Sequence, residues 1–180
     1  SGLPILEPST VAEAKQMVID AFALSEQLNE PVILRTTTRI NHSNGIVELG
    51  DIVSAKTKGD FKKDPFNYVT VPAVSRKLHA RLLENIEKAT VLSEKSPHNR
   101  TTGTGPLGLI TNGVSHTYVC DAVSDLNLSE QTRILRIGFS HPMPEKLIKS
   151  FMKGCEKVLI VEEGEPYMEE AIKAIAQEAG

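Results

Sequence analysis

The chain has no tryptophan, and only 4% of its 180 residues are aromatic. Aromatic platforms for stacking unpaired bases are therefore scarce, and acidic residues dilute the one lysine-rich stretch, Lys56 to Lys63. There are two cysteines, Cys120 and Cys155. That excludes a four-cysteine iron–sulfur or zinc site built from this chain by itself. Both read as small apolar residues rather than as nucleophiles or a disulfide. No apolar run approaches the roughly 20 residues needed to span a bilayer. A formal charge of −3 points neither to nucleic acid nor to an anionic membrane. The start, Ser1-Gly2-Leu3-Pro4, lacks both an initiator methionine and a basic signal region, and reads as a tag scar on a recombinant segment.

What is present is a pattern repeated three times. Leu107-Gly-Leu-Ile-Thr111, Arg133-Ile-Leu-Arg-Ile137 and Lys157-Val-Leu-Ile-Val161 read as strands, with amphipathic helices at 114–126, 144–153 and 167–178. Strands joined by crossover helices give an α/β fold with three layers and a mainly parallel sheet. Upstream, Thr10 and Glu13 form a capping box, and Ala14, Met17, Val18, Ala21, Phe22, Ser25 and Leu28 predict a buried helical stripe. Pro31–Ile40, rich in β-branched residues, predicts a strand, Asn44-Gly45 a turn, and Ile46–Leu49 a short extension. Residues 51–72 read as an irregular crossing segment, 73–96 as a long helix, and 96–105 as a loop. The chain divides into 1–50, a connecting segment 51–105, and the strand–helix repeats 106–180.

Few residues carry a chemical signal. Gly103-Thr-Gly105 precedes a strand rather than a helix, the wrong context for a dinucleotide loop. Asn112 and Gly113 join a strand to a helix, so an anion site is conceivable there. Gly59-Asp60 with Asn85 has the spacing of a diphosphate–magnesium motif, but Asn85 sits among leucines and the match reads as accidental. No histidine stands at metal-ligand spacing, and Ser43 and Ser115 lack a nucleophile-elbow context. Arg39 and His42, at the end of the first strand, are weak catalytic candidates. Glu162 and Glu163 close the last strand and are interface or capping candidates, because adjacent strand residues face opposite sides.

Taken in series, several stretches resemble one family. They are Leu6-Glu7-Pro8-Ser9, Leu34-Arg-Thr-Thr-Thr-Arg39, Ile40-Asn-His-Ser43 and Val47-Glu-Leu-Gly50, then Phe61-x-x-Asp64-Pro65 and Tyr68-Val-x-Val-Pro72. Gly108-Leu-Ile-Thr-Asn-Gly113, Pro142-Met-Pro144 and Val158-Leu-Ile-Val-Glu162-Glu163 continue the likeness. The chain resembles the large, alpha subunit of indolepyruvate ferredoxin oxidoreductase over nearly its full length. The resemblance implies a cytoplasmic enzyme of anaerobes that uses thiamine diphosphate, magnesium and 4Fe-4S clusters. Such an enzyme converts aryl pyruvates and coenzyme A to aryl-acetyl-CoA and passes electrons to ferredoxin, with a beta subunit as partner. It further implies that residues 1–50 end a pyrimidine-binding domain and that 106–180 form a transketolase C-terminal-like domain. The cofactor ligands are then expected outside this chain, leaving it a module for assembly and positioning that is inactive alone. The alternative is an independent small-ligand or anion-binding module.

Overall fold

The computed structural model describes residues 2–51, 59 and 62–179. The main sheet has the order β3-β5-β4-β7, from Asn99–Gly103, Thr132–Ile137, Leu107–Asn112 and Lys157–Val161. β4 runs parallel to both β5 and β7, while the edge strand β3 is antiparallel to β5. Alternation along β4 and β5 divides the side chains between two faces. Ile110, Leu135 and Ile137 face one side, where Ile148 and Phe151 of α6 (Glu145–Met152) and Met168, Ile172 and Ile175 of α7 (Tyr167–Ala179) complete the core. Leu109 and Ile134 face the other, under Val119 and Val123 of α5 (Ser115–Asp125). These are the three layers expected from the repeat. Gly108 lets α6 approach β4 closely: a Cβ there would lie 2.5 Å from Cys155 Sγ and 3.0 Å from Phe151.

A second sheet of order β2-β1-β6 joins Ile33–Leu34, Ile5–Leu6 and Phe139–His141. Its core is Leu6, Met17 and Phe139, closed by α1 (Val11–Leu28) and by Leu92 of α4 (Pro72–Glu94). The beginning of the chain thus hydrogen-bonds to the strand that follows β5. The crossing point is Gly138, whose N–H donates to the His98 carbonyl at 3.1 Å and whose carbonyl accepts from Glu7 at 2.7 Å. Asn99 clamps this switch: its Oδ1 accepts from the N–H groups of Gly138 and Phe139 at 2.9 and 2.8 Å, and its Nδ2 donates to the Ser93 carbonyl at 2.8 Å.

Five expectations need correction. The strand over Pro31–Ile40 is only Ile33–Leu34, because β1 offers no more than two pairing residues. Thr38–Asn41 instead forms a helical turn, α2, around buried Ile40. Ile46–Leu49 is not a strand; Ile46 and Leu49 are exposed. The loop over 96–105 contains β3, which β5 recruits by five consecutive pairings that no local pattern announces. The stripe of α1 is fully buried at Met17 and Leu28 and half-buried at Ala14, Ala21 and Ser25, whereas Val18 and Phe22 face outward, Phe22 71% exposed. The long helix likewise buries Val74 and Ala89 but leaves Leu83 exposed. Asp60 and Phe61 lie outside the described residues, as do Lys56 and Lys58.

Candidate functional site

Glu7 sits where the two sheets meet and is 5% exposed. A buried carboxylate is tolerable only with strong partners, and three parts of the chain supply them. Asn112 Nδ2 donates to Oε2 at 3.2 Å, and Ser140 Oγ donates to Oε1 at 2.5 Å. The Arg35 guanidinium lies 3.2 and 3.3 Å from the two oxygens. Asn112 ends β4, Ser140 lies in β6, and Arg35 follows β2, so one carboxylate ties both sheets. Gly113, turning at φ +48°, places the start of α5 beside this group, a backbone conformation glycine adopts freely. The negative charge at the Asn112-Gly113 turn is the chain's own.

A second ion pair lies nearby. Glu13 accepts the Ser9 N–H at 2.9 Å and pairs with the guanidinium of Arg136, itself 8% exposed. Burial pushes the Arg136 pKa down. The Thr10 hydroxyl accepts the Glu13 N–H at 3.2 Å, while the Glu13 carboxylate reaches back to Ser9 rather than to Thr10.

In front of this network lies an open cleft of about 650 Å³ between the N-terminus of α1, the turn around α2 and the first part of α5. Arg39 and His42 both line it, with Arg39 stacked 5.3 Å above the ring of Tyr118. Asn112 and Gly113 do not; they belong to the Glu7 network behind. Glu162 accepts the N–H groups of Met168 and Glu169, both at 2.8 Å, and so caps α7. Its neighbour Glu163 is exposed. Glu94, at the end of α4, plays the same part for α6 by accepting from Lys146 and Leu147 at 2.8 and 2.9 Å. Sequence reasoning missed Glu7, Arg35 and Arg136 as a network. The only available signal was charge inside otherwise apolar strands, at Arg136 and beside Leu6.

Among the described residues no set fits the magnesium or iron–sulfur groups that the resemblance implies. Asn85 is buried and donates to the Leu28 carbonyl at 2.9 Å, so it serves packing between α1 and α4. No group of three His, Cys, Asp or Glu among the described residues stands close enough to hold a metal. Cys120 and Cys155 are both free, and burial pushes both thiols up, away from the reactive thiolate.

This α/β arrangement, a mostly parallel sheet between helix layers beside a second small sheet, has a counterpart in part of a 2-oxoacid oxidoreductase. It superposes on 2-oxoglutarate:ferredoxin oxidoreductase from Magnetococcus marinus, solved with 2-oxoglutarate, coenzyme A and succinyl-CoA bound. The TM-score is 0.65 at 17% identity, over 95% of this chain and 37% of that one. The chain belongs to the family of indolepyruvate oxidoreductase subunit IorA. It is 44% identical to the protein of that name from Pyrococcus abyssi over 187 aligned residues, and 38% identical to that from Methanothermobacter thermautotrophicus over 180. The alignments cover 100% and 98% of this chain but 29% of each relative, so the chain spans under a third of the curated relatives it matches. No family model matches it.

Proposed function

We propose that the chain is a positioning and assembly module of a cytoplasmic 2-oxoacid:ferredoxin oxidoreductase acting on indolepyruvate and related aryl pyruvates. In that reading residues 1–50 close a pyrimidine-binding domain, 51–105 connect, and 106–180 form the transketolase C-terminal-like domain. Thiamine diphosphate with magnesium and the 4Fe-4S clusters are held by other parts of the parent. Coenzyme A, ferredoxin, the beta subunit and the rest of the alpha subunit are its partners.

The observation that carries this reading is uncovered apolar surface. One helix, α5, covers its side of the main sheet, leaving a hollow of about 380 Å³ walled by Leu107, Leu109, Leu126, Leu159 and Val161. Leu159 is 55% exposed and Leu126 67%. On the opposite end of the chain, Phe22, Val18 and Val32 line a second apolar hollow beside the edge strand β2. Contiguous apolar surface on a soluble protein marks contact with other protein. No helix among the described residues is long and apolar enough to cross a membrane.

The test places Phe22→Glu and Leu159→Glu in the polypeptide as its reading frame encodes it, coexpressed with its partner subunit. Each substitution is expected to lower the yield of assembled, ferredoxin-reducing enzyme severalfold. Full assembly by both variants would remove the support for docking on these faces.

A further inference from the structure

We infer that the cleft between α1, α2 and α5 is a binding site for an organic oxyanion: a carboxylate or phosphate ester carried on a small apolar body. The inference does not depend on the parent activity. Its first support is the sign of the lining. The Arg39 guanidinium faces the cleft, with the His42 ring as a further polar group, and no aspartate or glutamate among the described residues lines it. Arg39 rests on the Tyr118 ring and has no carboxylate partner among the described residues. A guanidinium so stacked keeps its planar fork of donors free for an oxyanion.

The second support is the 18-residue helix α1, whose first turn opens onto the cleft through Val11 and Ala12. N–H groups in a first turn have no intrahelical acceptor, and the helix dipole adds partial positive charge there. The third is independent of both. Ser9 is 3% exposed and lines the cleft, and its hydroxyl is buried without any hydrogen-bond partner. Buried polar groups are nearly always satisfied, so an orphaned hydroxyl in the wall of this cleft marks a place where a partner is missing.

The remaining walls set the rest of the ligand. Ile40, Ile46 and Val114 are apolar, and Tyr118 presents a half-exposed ring. The volume falls within the usual range for small-molecule pockets. Inorganic phosphate alone would leave these walls wet.

The test is calorimetric titration of the polypeptide as its reading frame encodes it, with phenyl phosphate, benzoate and neutral benzyl alcohol as probes. At least one anion is expected to bind with a sub-millimolar Kd, with benzyl alcohol at least about tenfold weaker. Whichever anion binds more tightly identifies the natural group as a phosphate ester or a carboxylate. Arg39→Gln is expected to weaken the better anion about tenfold, with Arg39→Lys recovering part of the loss. Arg100→Gln, remote from the cleft, is expected to leave binding unchanged. The inference is overturned if neither anion saturates below about 10 mM, if benzyl alcohol binds equally well, or if Arg39→Gln has no effect.

Discussion

Glu7 shows how much of this structure rests on single polar side chains. Its carboxylate is the meeting point of Asn112, Ser140 and Arg35, and the donors would be stranded if it were removed. Glu7→Ala is therefore expected to cost about 3 kcal/mol, and Glu7→Gln less because it keeps an acceptor oxygen. Urea denaturation followed by circular dichroism measures both; equal stability of Glu7→Ala and the parent would show that the network is idle. Two histidines make stability depend on pH. Burial lowers the pKa of His116 and of His141 relative to the unfolded chain. The unfolded state then binds more protons as pH falls past about 6.5, so stability is full above that value and declines toward the lowered folded pKa. Replacing both by glutamine is expected to flatten the decline between pH 7 and 5 in the same denaturation experiment. A slope unchanged in the double variant would assign it to the carboxylates instead.

The elements divide according to where their stabilising contacts lie. β4, β5, β7 and all three of their helices are readable from periodicity, since each strand carries a short apolar run and each helix has a clear stripe. β1, β2 and β6 have two or three residues apiece, too few for a pattern, and exist because each completes another's hydrogen bonds. β3 is polar along its length, Asn99-Arg-Thr-Thr-Gly103, and only its pairing with β5 makes it a strand. The candidate site was legible in the same uneven way. Arg39 and His42 drew notice by their place after a strand, whereas Ser9, Tyr118 and the Glu7 network are brought together from positions up to 133 residues apart. Helix capping also draws on side chains beyond the helix concerned, locally at α7 and over a long range at α6. Glu162 and Glu94 reach α7 and α6 from outside those helices, and Glu162→Ala or Glu94→Ala is expected to destabilise by about 1 kcal/mol. Gly108→Ala tests the close approach of α6 to β4, with a loss of about 2 kcal/mol expected from overpacking against Cys155 and Phe151. Thermal melts rank these variants; a neutral Gly108→Ala would mean that α6 shifts freely.

At the scale of the whole molecule, the chain holds a core on both faces of its main sheet yet leaves apolar surface at two separate places. Leu159 and Leu126 border one, Phe22 the other. Isolated from its parent, the 180-residue chain is expected to self-associate at micromolar concentrations, and Leu159→Glu to shift it toward monomer in sedimentation velocity. The chemistry is distributed in the opposite sense. The carboxylates of Glu7, Glu13, Glu94 and Glu162 are each committed to an ion pair or a helix cap. What remains free is the cationic cleft, which can hold an anion but contains no nucleophile–base pair among its described residues. On the function proposed above, this part of the subunit serves positioning and recognition, and the redox chemistry is supplied elsewhere. Titrating the 180-residue chain with thiamine diphosphate and magnesium, after circular dichroism has verified its fold, tests that assignment most directly. No saturable heat is expected; binding in the micromolar range would contradict it.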